Sequence, residues 1–167
     1  MMMETFFSKF PDIAQKETRS ITVLDDSYGL KIGQYSFVEL FCSKADCDCR
    51  RAMISVFGPH DKLYATLGYG WEEAKFYSDW MFGDEEFGEM VSGAHIYEMT
   101  PQTEHSDQLL SFFKGMVEDA SYANRIKSHY KLFKGKEANY PLPKEVRSPF
   151  GSKYFKSNVK VVESSLL

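Results

Sequence analysis

Three cysteines, Cys42, Cys47 and Cys49, fall within eight residues and are the only cysteines in a chain of 167. A lone cysteine is usually a small buried apolar residue, but a cluster of this density in an otherwise cysteine-free chain calls for another reason. A soft divalent ion such as zinc takes four nitrogen or sulfur ligands in a tetrahedron, with sulfurs about 3.8 Å apart on bonds of about 2.3 Å. If the chain between Cys47 and Cys49 is extended, their side chains share a face, and Cys42 can meet them from across a turn. An odd number of thiols cannot all pair within one molecule, which argues against a disulfide framework and for metal. The commoner zinc knuckles use two intervening residues. The zinc tail of the preprotein-translocation ATPase needs a further ligand pair where this chain has Gly58 and Pro59.

Three ligands leave one position to fill. His60 follows a strand of about seven residues at about 3.3 Å each, which puts it about 20 Å away at the other end of the sheet and excludes it. His95 and His105 fall in poorly patterned connections, where solvated histidines are the rule. His129 lies in the apolar stripe of a helix, so it should point inward. There it serves either as a ligand or as a core histidine satisfied by a carbonyl or carboxylate, and the residues alone leave both open. Asp46 and Asp48 are alternative oxygen ligands that read more simply as turn formers. Arg50 and Arg51 follow the last cysteine directly. One of them can donate to thiolate sulfurs or bind an anion.

The elements that must position these residues are legible from periodicity. Ser20 to Leu24 reads as a short strand. Tyr35 to Cys42 alternates, with Val38 and Leu40 opposed to Phe37, Glu39 and Phe41, and Arg51 to Phe57 alternates again. Leu63 to Tyr69 follows after Gly58-Pro59. These make an antiparallel meander of about four strands, with the cysteines in the turn between two of them. The period then changes to helical: Trp71, Ala74, Tyr77, Trp80 and Met81 make one stripe, and Phe87, Met90 and Val91 a shorter one. Leu109, Leu110, Phe113, Met116 and Val117 form a third behind a cap at Ser106 or Asp107, and Tyr122, Ile126, His129, Tyr130 and Phe133 a fourth ending near Gly135. Strands first and helices afterwards predict an α+β fold, with three to four helices on one face of the sheet. We expect an N-terminal arm or short helix over 1–17, one zinc-stapled domain over 18–137, and a partly ordered tail over 138–167.

The knuckle Cys47-Asp48-Cys49-Arg50-Arg51, preceded by Cys42, occurs with Gly70-Trp71-Glu72 and with Arg125, His129, Tyr130, Phe133 and Lys134 in an R-x3-H-Y-x2-F-K segment. In these features the chain resembles a family of uncharacterised bacterial proteins, over roughly residues 28–134. The resemblance implies that His129 belongs with the cysteine motif, and it carries no activity with it.

The formal charge of −4 and a pI near 5.6 remove the long-range attraction that general nucleic-acid binding needs. There is no apolar run long enough to span a bilayer and no secretory pattern at Met1-Met2-Met3, so a cytoplasmic protein is expected. The expectation is one structural zinc per chain on Cys42, Cys47, Cys49 and His129, in a non-catalytic adaptor or binding module for a protein partner. The alternatives are a metal-dependent hydrolase or transferase with an open zinc position and Glu72 as base, and a nucleic-acid-associated protein using Arg50 and Arg51. No P-loop, dinucleotide, zincin or deaminase signature occurs.

Overall fold

In the computed structural model, residues 2–136 are described; the expected C-terminal tail lies outside them. The fold is α+β. An open antiparallel sheet is built from β1 (Met3–Thr5), β2 (Arg19–Val23), β3 (Gly33–Cys42), β4 (Arg51–Phe57), β5 (Leu63–Gly70) and β6 (Gly93–Ile96). Six helices accompany it: α1 (Phe6–Lys9), α2 (Pro11–Glu17), α3 (Ala74–Trp80), α4 (Glu85–Val91), α5 (Ser106–Glu118) and α6 (Ala120–Phe133).

Two strands escape the period-2 reading because they are too short to show it. The three residues of β1 pair with the end of β3, Met3 opposite Cys42, and the four of β6 pair with β5, Gly70 opposite Gly93. The expected arm is therefore a strand and two short helices, with Pro11 at the first position of α2, where its missing N–H costs nothing.

Strand β3 is the axis of the sheet. On one side it pairs with β4, Glu39 opposite Ile54. On the other it is shared: β2 covers Gly33–Phe37 and β1 covers Leu40–Cys42, so Val38 and Glu39 lie between the two registers. The chain makes its α1–α2 excursion at that gap. Alternation puts Tyr35, Phe37, Glu39 and Phe41 on the face covered by α5 and α6. Phe37 stacks on Phe113 at 5.9 Å, and Phe41 meets Tyr130 edge-on at 5.8 Å. Phe37, Phe41 and Phe113 are fully buried, and each contributes about 2–3 kcal/mol through lost apolar surface.

The stripe expected for the last helix is the buried one: Tyr122, Ile126, His129, Tyr130 and Phe133 all face inward. Asp119 caps α6 by accepting from the Ser121 N–H at 2.9 Å, and Gly135, at φ 71°, supplies the left-handed residue that ends it. At the start of α5 the residue before the first turn is His105, without a side-chain cap. Ser106 Oγ instead accepts from the Thr103 N–H at 3.0 Å. Among the described residues, no helix is long and apolar enough to cross a membrane.

Candidate metal centre

Cys42 ends β3, and Arg51 begins β4 opposite it across the sheet; the eight residues between them form the knuckle. A turn closes it, with the Cys47 N–H donating to the Lys44 carbonyl at 3.2 Å. The outcome is the one the spacing predicted: the three Sγ atoms lie within 4.8 Å of one another, a group that could hold a metal ion. Cys42 and Cys49 are buried and Cys47 is half-buried, and none is in a disulfide. Burial, and after it the neighbouring thiols of Cys49 and Cys42, push the Cys47 thiol up to about 11. Three thiolates this close repel, so a cation is what would let them ionise together at neutral pH.

The arrangement corrects the expected fourth ligand. His129 is inward, as its stripe implies, but it is not in the group with the cysteines. Its Nδ1 lies 2.6 Å from Glu39 Oε2 and its Nε2 lies 2.7 Å from Glu17 Oε2, so both ring nitrogens are engaged by carboxylates. Burial alone would lower its pKa, but the Glu39 and Glu17 carboxylates outweigh that and hold it at about 9. The imidazole is therefore a cation at neutral pH, donating both N–H groups, and a cation with two donors has no lone pair for a metal. Phe6 stacks on the ring at 4.2 Å and Arg125 Nε approaches Glu17 at 3.7 Å. A cavity of about 10 Å³, lined by Phe6, Glu39 and His129 among others, has room for about one water. Glu39 Oε1, buried and without a hydrogen-bond partner among the described residues, is the atom such a water would satisfy.

Sequence reading missed this network, although a signal was present. Glu39 falls on the Phe37 and Phe41 side of the alternation, so it had to be a buried carboxylate needing a donor. The helix neighbour Tyr130 is the residue that touches the knuckle. Its hydroxyl donates to Asp48 Oδ1 at 3.1 Å and accepts from the Arg50 N–H at 3.3 Å. Lys134 Nζ adds a bond to the Lys44 carbonyl at 2.7 Å, and Lys136 pairs with Asp48 at 3.2 Å. The helix-to-sheet clip expected of a shared metal is made by hydrogen bonds instead.

The arginines also depart from expectation, since neither donates to a sulfur. Arg50 holds Asp48 through Nε and Nη2 at 3.1 and 3.0 Å, reaches Glu72 at 3.3 Å, and lies 4.6 Å over the Phe76 ring. Its backbone sits at φ 46°, a left-handed conformation costly for a non-glycine residue. Two tyrosines hold it there, Tyr130 on its N–H and Tyr77 donating to its carbonyl at 2.7 Å. Arg51 lies 5.3 and 5.5 Å over the rings of Trp80 and Phe87, which fastens β4 to α3 and α4. Asp48 is spent on Arg50, Lys136 and Tyr130. Asp46 is exposed beside Lys44, and neither aspartate belongs to the thiol group.

Of the other histidines, His60 is exposed where expected, whereas His95 and His105 are half-buried instead of solvated. His60 sits in the turn joining β4 to β5, at the end of those strands away from the knuckle. His105 lies beside the Tyr64 ring at 5.5 Å. His95 is on β6, its Nδ1 3.1 Å from the Gly93 carbonyl and its Nε2 over Gly68, where an added Cβ would stand 2.1 Å from that nitrogen. It lines a small cavity with Cys49 but is outside the metal-competent group, and burial lowers its pKa.

No family model matches the chain, and comparison with curated proteins and with solved structures gives no significant match. The site therefore has to be interpreted from its own chemistry.

Proposed function

We propose that the protein is a zinc-binding, non-catalytic binding module in which Cys42, Cys47 and Cys49 hold one metal ion that locks the β3–β4 knuckle. The observation that carries this reading is the convergence of three Sγ atoms within 4.8 Å at a strand end. A sulfur-rich donor set suits zinc over hard cations such as magnesium or calcium. His129 is not the fourth ligand. The rest of the chain holds no further cysteine, and His60, His95 and His105 lie outside the thiol group, so in this reading the fourth ligand is an oxygen donor or comes from a bound partner.

A hydrolytic metal site needs an available base, and the candidate beside the knuckle is Glu72. Its carboxylate is bound to Arg50 at 3.3 Å and its N–H donates to the Tyr77 hydroxyl at 3.2 Å. A carboxylate held by a guanidinium is a weak base, and three thiolates make zinc a weak Lewis acid. Both points favour binding over catalysis.

The test is elemental analysis of protein purified without added metal, repeated on Cys47→Ser. The reading expects about one zinc per chain in the wild type and little in the variant. Wild-type protein that holds no zinc and takes none up on reconstitution overturns it.

A further inference from the structure

The surface beside the knuckle contains a cleft whose chemistry the metal site leaves unused. It lies between Asp48 and Arg50 on one side and α6 on the other, with Trp71 and Tyr130 in its lining, and measures about 380 Å³, the size of a small-ligand site. Four basic side chains line it against two acidic ones, in a chain whose net charge is −4.

The two acids are already committed: Asp48 to Arg50 and Lys136, Glu72 to Arg50. Lys127 and Lys131 are left. Both are half-buried on the cleft wall, one helical turn apart, and neither side chain has an ion pair or hydrogen bond among the described residues. Like charges at this spacing on a helix repel, and partial burial strips some of the water that would screen them. An anion between the two ammonium groups removes that repulsion. Trp71 supplies a second element. It meets Tyr130 edge-on at 5.1 Å and 70°, is half-buried in the cleft lining, and its indole N–H has no partner among the described residues. Tyr130 cannot serve as a donor, because its hydroxyl is engaged by Asp48 and Arg50.

We propose that this cleft binds a phosphate monoester carrying a planar ring, of the nucleoside monophosphate class, with Lys127 and Lys131 on the phosphate and Trp71 against the ring. Ammonium groups pair with phosphate through charge-assisted hydrogen bonds, and indole faces stack on planar bases. The proposal deepens the binding-module reading by naming a ligand class. It rests on that reading for the role of the protein and not for the identity of the metal.

The experiment is calorimetric titration of the full-length protein with AMP, adenosine and inorganic phosphate, with tryptophan fluorescence followed in parallel and zinc measured on every sample. AMP is expected to bind more tightly than either fragment and to change the fluorescence. The double variant Lys127→Glu, Lys131→Glu should bind AMP at least about tenfold more weakly, while Lys114→Glu, the same charge reversal at one exposed position of α5, should bind as the wild type does. Absence of AMP binding, or unchanged binding in the double variant, overturns the proposal. Adenosine as tight as AMP overturns the role of the lysines, and phosphate as tight as AMP overturns that of Trp71. AMP binding by protein that holds no zinc and takes none up on reconstitution supports the cleft while contradicting the metal reading, and zinc-loaded protein that ignores AMP does the reverse.

Discussion

His129 Nδ1 stands 2.6 Å from Glu39 Oε2, inside the core, with Glu17 taking the opposite ring nitrogen at 2.7 Å. The three residues come from α6, β3 and the last position of α2. One buried cation between two carboxylates thus ties the final helix and the N-terminal helices to the gap in the sheet between β1 and β2. Removing one partner from such a group leaves uncompensated buried charge, a large penalty even where the intact group contributes little net stability.

Replacing His129 by Gln should therefore destabilise the fold by about 3–5 kcal/mol without changing the zinc content. Chemical denaturation and metal analysis of the same preparation check both parts. Should the variant fail to fold, Glu17→Gln offers a milder form of the same test, with His129 and Glu39 still paired. Loss of zinc from folded protein in either variant would tie the network to the metal.

The pH dependence follows from the raised pKa of His129. The folded state holds this proton up to about pH 9, whereas the unfolded chain releases it near the ordinary histidine value of 6.5. The stabilisation from the charged imidazole is fully present below about pH 6.5, declines as pH rises and is lost through pH 9, a change of a few kcal/mol. NMR titration of the ring C–H signals checks the cause directly. A midpoint near 6.5 in the folded protein would mean that the two carboxylates do not hold the proton.

Metal removal acts three residues further along β3, at Cys42. Chelation should lower the melting temperature and loosen residues 42–51, because an ion bound only by the folded state adds its binding free energy to folding. Hydrogen exchange should show the loss of protection centred on the knuckle, with α6 still protected by the Glu17–His129–Glu39 group. Equal loosening of both would mean that the two sites are one cooperative unit.

Tyr130→Phe removes the hydroxyl that bonds both Asp48 and the strained Arg50 backbone. The expected cost is about 1–2 kcal/mol, together with faster exchange at the Arg50 amide. A variant as stable as the wild type would show that Tyr77 alone holds Arg50 in its left-handed conformation.

The sheet, the helices and the cysteine cluster were legible in the sequence because each writes a period or a spacing. Tyr35–Cys42, Arg51–Phe57 and the inward stripe of α6 are examples. What escaped was information carried by tertiary partners. The strand Met3–Thr5 exists only because β3 offers it an edge, and three residues carry no readable alternation. For His129, the helical period gave the correct direction but not the identity of what it would meet. Glu17 lies 112 residues away along the chain, and nothing local marks it as a partner. The helical offset between His129 and its neighbour decided the rest, turning Tyr130 to the knuckle and His129 to the carboxylates.

In the proposed metal centre the three cysteines hold one zinc ion without His129. Zinc-edge X-ray absorption on wild-type and His129→Gln protein tests it most directly, since it counts sulfur and light-atom neighbours. Three sulfurs at about 2.3 Å and one light ligand are expected, with the same spectrum from both proteins. A wild-type sample without zinc, or an imidazole signature that disappears in the variant, would contradict it.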